Sequence, residues 1–193
     1  MSKGSTTRQR ILKICFDLIY KQGYQATSID EIIKQTTLTK GAFYYHFKTK
    51  EIMGLALLQE FIGPALEKRV FHSLRHTTNF RLSIYKSIAE LLEDTAFFDS
   101  RYGCPLVNLI EEMAPLNPKF SKVMADFYDN WHREIALSIQ NNLNHCTTDP
   151  ERSNQIATFI ISGYHGIRSI GKLKGAPIYQ SYLHELQNYL NTL

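Results

Sequence analysis

Apolar residues recur three and four positions apart along most of the chain, and strand-like alternation is scarce. A chain patterned this way folds as an all-α protein. Read by period and by start and stop signals, it divides into about nine helices. Ile11, Ile14, Cys15, Leu18 and Ile19 form one stripe, with Cys15 as core filler, and Gly23 stands where a left-handed helix terminator belongs. Ser28-x-x-Glu31 is a capping box that opens a second helix ending near Gln35. A third helix begins with Thr39 as its N-cap. A fourth starts after Thr49 and is kinked or interrupted at Gly63-Pro64. The later spans fall at about 79–98, 105–114, 118–143, 150–172 and 177–192. Pro105, Pro118, Pro150 and Pro177 mark starts, and Asn117 and Asp149 supply two N-caps.

Charge is unevenly spread. The net charge is only +4, yet the first fifty residues carry nine basic side chains against three acidic ones. A basic head on a near-neutral body suits a polyanion-binding module joined to something else, although a merely basic surface explains the charge equally well. The head divides from the body at residue 50, as residues 1–50 and 51–193. Within the head, residues 24–51 read as two short helices joined by a tight turn, a helix-turn-helix whose second helix fits the major groove. Thr39, Lys40, Gly41 and Ala42 form its exposed first turn, with two small residues that let the backbone approach DNA closely. Tyr44, Tyr45 and His46 add hydrogen-bonding tips, while Phe43 and Phe47 face the core. Lys50 and Ser28 each open a helix, where side chain and free N–H groups can meet a phosphate. Ser28, Tyr44, His46 and Lys50 are the expected phosphate contacts, and Thr39, Lys40, Gly41 and Tyr45 the expected base contacts.

This stretch resembles the TetR family of transcriptional regulators. The matching residues are Gly23-Tyr24, Thr27-Ser28-Ile29, Ile32, the run Leu38-Thr39-Lys40-Gly41-Ala42-Phe43-Tyr44-Tyr45-His46-Phe47, and Lys50-Glu51. The likeness by motif covers residues 8 to about 58. It departs at the turn, where the family usually has Ala near position 33 and Ala-Gly at 36–37 and this chain has Ile33 and Thr36-Thr37. A β-branched residue there disfavours a left-handed backbone, so the turn either changes geometry or carries strain.

The resemblance implies a dimeric repressor that binds palindromic operator DNA and is released by a small-molecule effector held in the C-terminal half. It also implies a dimer interface made by the last two helices. Ile156, Ile160, Gly163, Ile167 and Ile170 follow a 4-3-4-3 seam, with Tyr182, Leu186 and Tyr189 beside them. Periodicity alone equally allows a seam buried within one protomer. For the effector, Tyr102, Cys104, Asn108 and Glu112 place polar groups in an apolar stretch that looks like a Gly-Cys…Asn…Glu signature of one family subgroup. Phe127, Trp131, Tyr164 and His165 add aromatic lining. A satisfied internal network is an equal alternative for the polar set.

Other chemistries find little footing. The three cysteines are scattered, with no CxxC spacing. His72 and His76 stand four apart but lack the glutamate of a zinc-protease helix and a third ligand, so neither metal nor cofactor is expected. No Gly-rich phosphate loop and no Gly-x-Ser-x-Gly elbow occurs. Two alternatives stay open: a DNA-binding regulator that needs no ligand, and an enzyme using Cys104 and His165. The polar, basic start of the chain and the absence of an apolar run long enough to span a bilayer point to a cytoplasmic protein.

Overall fold

The structure is a computed structural model that describes residues 3–75, 79–95, 97–142 and 149–193. Among these there are ten α-helices, one π-helical turn and no strand. In chain order they are α1 (Lys3–Gln22), α2 (Ile29–Thr36), α3 (Lys40–His46), α4 (Lys50–Leu57), α5 (Gly63–Arg75), α6 (Phe80–Glu93), α7 (Pro105–Met113), α8 (Pro118–Asn142), α9 (Pro150–Lys174) and α10 (Ile178–Thr192). The π turn, Leu58–Ile62, joins α4 to α5, so these run on as one interrupted helix and the rods number nine.

That interruption has a local cause. Pro64 has no N–H to donate and its ring crowds the carbonyl four residues back, which an unbroken α-helix cannot accommodate. The widened turn relieves this, with the Gly63 N–H donating to the Leu58 carbonyl. Gly63 is required there, because a Cβ would stand 2.8 Å from the same carbonyl oxygen.

The chain packs as two compact units, each discontinuous in sequence. The first comprises residues 1–65 and 105–125, and the second 66–104 and 126–193. Packing thus groups α4, α7 and the start of α8 with the head helices, so it does not follow the division by expected function at residue 50.

In the first unit α1 packs against α2, α4 and the π turn. Its core holds Ile11, Leu12, Cys15, Ile32, Phe43, Phe47 and Met53, none of them with measurable exposure. Burial pushes the Cys15 thiol up to about 12, which keeps it protonated and inert, as a filler should be. Gly54 lies where α4 meets the rings of Tyr24 and Phe120. A Cβ there would come within 2.6 Å of both, and this explains a glycine inside a helix.

In the second unit α10 packs against α6 and α9. Gly163 and Gly171 allow the close approach, since a Cβ at either would collide with Tyr182 or Tyr179 of α10. The sixth helix stops at Glu93 and not near residue 98. Asp94 ends it by pairing with Arg69 at 2.6 Å and accepting the Phe97 N–H, a long-range partner that local spacing does not reveal.

Candidate DNA-binding surface and sensor core

Three short helices carry the head, and each is opened by a hydroxyl. Ser28 accepts the Glu31 N–H at 3.1 Å, Thr39 the Ala42 N–H at 3.2 Å, and Thr49 the Ile52 N–H at 3.1 Å. Such caps contribute about 1 kcal/mol each, a large share for helices of seven or eight residues. The α2–α3 turn carries strain. Thr37 takes φ +58°, a left-handed conformation that no other non-glycine residue adopts among the described residues. Its hydroxyl donates to the Thr36 carbonyl at 2.6 Å.

On α3, Phe43 is buried and Thr39, Lys40, Gly41 and Tyr45 are exposed; Ala42, Tyr44 and His46 are half-buried. Tyr45 has 78 % of its surface exposed. A Cβ built on Gly41 meets nothing within 4 Å. A glycine in a helix costs about 1 kcal/mol relative to alanine, and packing within the protomer does not ask for this one. Lys40 is held by Asp30 at 3.1 Å, with both side chains largely exposed, so the pair can exchange Asp30 for another anion at little cost. The His46 carbonyl accepts a bond from Arg8, whose guanidinium also pairs with Glu60 and lies 4.3 Å from the Phe47 ring centroid. Ser28 is exposed. Lys50 is placed differently from a free phosphate-reaching side chain: its ammonium donates to the Gln25 carbonyl at 3.2 Å and lies 4.6 Å from the Tyr24 ring centroid. Burial lowers its pKa.

The loop between α1 and α2 is held from α7. The Glu112 carboxylate accepts the N–H groups of Tyr24 at 2.8 Å and Gln25 at 2.5 Å. Beside it, Glu51 of α4 accepts from Asn117 at 2.7 Å and from Lys119 at 2.6 Å. Burial, with the Glu51 and Glu112 charges, pushes the Tyr24 hydroxyl up to about 12. These partners lie 66 to 88 residues apart in sequence, and no local pattern announces them.

The eight residues expected to meet an effector are not gathered in one compact unit. Asn108 and Glu112 belong to the first, where they border a cleft with room for about one water molecule (≈ 10 Å³). The Glu112 carboxylate is already committed to two backbone amides. Tyr102, Cys104, Phe127, Trp131, Tyr164 and His165 belong to the second unit. There Cys104, Trp131 and Tyr164 are buried, and Tyr102, Phe127 and His165 are half-buried. Trp131 and Tyr164 meet edge-on with ring centroids 5.3 Å apart.

Most of the residues expected at the dimer seam are taken up within the protomer. Ile156, Ile160, Ile167 and Leu186 are buried within the protomer, because this side of α9 faces the rest of its own unit. Gly163 is taken up by Tyr182, whose hydroxyl donates to the Ile160 carbonyl at 3.1 Å, and Tyr189 meets Phe159 with the rings tilted and their centroids 5.0 Å apart. Of the expected seam only Ile170 is open. It belongs to another stripe, with Phe159 60 % exposed, Ile170 45 % and Leu173 84 %. Gly166 lies between them, with nothing within 4 Å of its Cβ position.

Among the described residues no group of three His, Cys, Asp or Glu could hold a metal ion. His76 and Cys146 lie outside those residues. No helix among them is long and apolar enough to cross a membrane.

A capped helix-turn-helix on an all-helical chain defines a helical transcription regulator. Comparison with known proteins narrows the class. Residues 11–57 match the family model of bacterial regulatory proteins of the tetR family, and residues 82–172 match the C-terminal domain of LmrA/YxaF-like transcriptional regulators. The chain is 30 % identical over 134 residues to an uncharacterised HTH-type transcriptional regulator of Lactococcus lactis, covering 69 % of this chain and 68 % of that one. It is 25 % identical over 144 residues to the HTH-type transcriptional repressor NemR of Escherichia coli, covering 74 % and 72 % of the two chains. In fold it matches a TetR transcriptional regulator of Chloroflexus aurantiacus with a TM-score of 0.86 at 23 % identity, over 99 % of this chain and 97 % of that one. The chain belongs to the TetR family of transcriptional regulators.

Proposed function

We propose that this protein is a dimeric repressor that binds palindromic operator DNA and lets go when a small molecule enters its C-terminal half. The observation that carries this is α3, which presents Thr39, Lys40, Gly41 and Tyr45 outward and keeps at Gly41 a space that none of the described residues uses. A helix laid in a major groove needs such an approach. Ser28, Tyr44 and His46 set the register on phosphates. Lys50 joins them only by leaving the Gln25 carbonyl. The sign of regulation follows the likeness to a named repressor, and a regulator that reads operator DNA works in the cytoplasm.

Residues 1–50 read DNA and residues 51–193 sense and dimerise. The dimer forms through the Phe159, Gly166, Ile170 and Leu173 stripe of α9, with a second copy of the chain covering it. Two heads then reach half-sites about 34–36 Å apart or modestly more. An effector that favours one dimer conformation weakens DNA binding by that same coupling, about 1–3 kcal/mol. The α4 helix, beginning in the head and continuing through the π turn, is the lever. Glu112 of α7 is a second grip on the head.

Fluorescence anisotropy with the DNA upstream of the protein's own gene, against scrambled DNA and at two salt concentrations, tests this. Wild type should prefer its own DNA by about 10³-fold or more, and the double variant Lys40→Ala/Tyr44→Ala should lose that preference. Equal, weak and salt-sensitive binding to both probes would remove the basis for the repressor assignment.

A further inference from the structure

A buried cation without an acid lies in the second unit. Arg168 on α9 has no exposed surface. One terminal nitrogen of its guanidinium donates to the Leu91 carbonyl near the end of α6, and the other lies 3.4 Å from the Tyr179 hydroxyl. Its central carbon is 4.5 Å from the ring centroid of Phe98, 5.2 Å from Tyr179 and 5.7 Å from Tyr164. Among the described residues the Nε–H has no partner. The described groups beside it are Tyr164, Cys104 and Tyr179, none of them a carboxylate. A guanidinium does not shed its proton in a protein, so the charge stays, and burying an uncompensated charge is strongly unfavourable.

Two further donors stand beside it. The Tyr164 hydroxyl, buried within reach of the Cys104 thiol and of the guanidinium, meets neither in good hydrogen-bond geometry among the described residues. The indole N–H of Trp131, whose ring meets that of Tyr164, has no partner among them. Buried polar groups are nearly always satisfied, so linked donors without well-formed bonds call for an acceptor. The missing acceptor carries negative charge to match Arg168, and it is flanked by aromatic faces.

We infer that the Trp131, Tyr164 and Arg168 cluster is the recognition point for a small monocarboxylate effector, whose two oxygens take the unpartnered donors while its hydrocarbon part packs against the neighbouring aromatic rings. This rests on the effector-released repressor reading and names the ligand class for it. A carboxylate is acceptor-only, whereas an amide of the same shape brings an N–H₂ against donors and is rejected. The cluster is closed to solvent, so the ligand binds a state in which the surrounding packing has opened. That gives it the difference in affinity between two states which release of DNA requires.

Thermal unfolding of the full chain tests this without DNA. The probes are sodium acetate, butyrate, hexanoate and benzoate at millimolar concentration, against equal sodium chloride and against butyramide and benzamide. At least one carboxylate should raise Tm by about 5 °C or more. Its amide should not, Arg168→Met should abolish the shift, and Trp131→Phe should reduce it. Should Arg168→Met fail to fold, Arg168→Lys takes its place, with the shift expected to shrink because the planar fork is lost. No carboxylate exceeding chloride, or a shift that persists undiminished in these variants, overturns the inference and leaves Arg168 as a structural tie to α6. The two readings can fail apart. Specific operator binding with no carboxylate response keeps a repressor with another effector, whereas a carboxylate response without operator binding keeps the ligand site and removes the repressor.

Discussion

The two compact units treat their polar atoms differently. Helix starts are capped in both, at Ser28, Thr39 and Thr49 in the first and at Asn79 and Asp149 in the second, but in the first the α1–α2 loop is also tied to Glu112 and Lys50. In the second lie all four of the buried side-chain polar atoms found without a partner among the described residues: Trp131 Nε1, Ser153 Oγ, Tyr164 Oη and Arg168 Nε. It also carries the Phe159, Ile170 and Leu173 stripe without a cover. Among the described residues the first unit leaves no buried side-chain polar atom without a partner, although Tyr45, Ile52 and Leu116 stay exposed. The second is left incomplete inside and out, as a unit would be that receives a ligand within and a second copy without.

The largest test of this contrast concerns the uncovered stripe. Leu173→Glu places a charge where a second α9 is expected to pack, and sedimentation velocity should show the dimer of wild type replaced by monomer at micromolar concentration, with the helical content unchanged. A dimer that survives would put the interface elsewhere. Next in size is Glu112→Ala. It leaves the Tyr24 and Gln25 N–H groups without their acceptor and should destabilise the fold by about 2 kcal/mol, measured by urea denaturation. An unchanged midpoint would mean that water replaces the carboxylate and that the first unit is less self-contained than it looks.

Smaller still, and of opposite sign, is Thr37→Gly. It removes a left-handed β-branched residue and should stabilise the protein by about 1 kcal/mol, raising Tm by about 2–4 °C. Loss of stability would show that the Thr37 hydroxyl outweighs the strain. The smallest effect is a pH dependence in the second unit. Burial lowers the His165 pKa below its ordinary 6.5, so the fold favours the neutral ring. The stability this confers is fully present above pH 6.5 and declines as pH falls toward the folded-state value. His165→Gln should flatten the Tm profile below pH 6.5, and an unaltered profile would assign the decline to other groups.

What the sequence revealed follows the range of each interaction. The caps at Ser28, Thr39, Thr49, Asn117 and Asp149 and the left-handed Gly23 are set by neighbours a few residues away, so spacing exposes them. The conflict of Thr37 with its turn was equally local. Glu112 was legible only as a polar group in an apolar stretch, because its partners fold onto it from 87 and 88 residues away. The α9 seam shows a different limit. Periodicity finds an apolar stripe but does not say whether the same chain or another covers it, and here Ile156, Ile160 and Ile167 went inward while Phe159 and Leu173 stayed out. Arg168 gave no signal at all, since a lone arginine on a helix reads as a surface residue until its burial is seen.

The π turn at Leu58–Ile62 separates the length of a helix from its orientation. It holds one residue more than an α-helical turn would. Were the same residues wound as α, the residues that follow in α5 would be turned by about 100° about the helix axis relative to those of α4. Losing one residue from this turn would straighten the helix and leave that phase unchanged, whereas the same loss within α5 would shift it. The turn is therefore the place in this long helix where the chain can shorten by one residue and keep its fold.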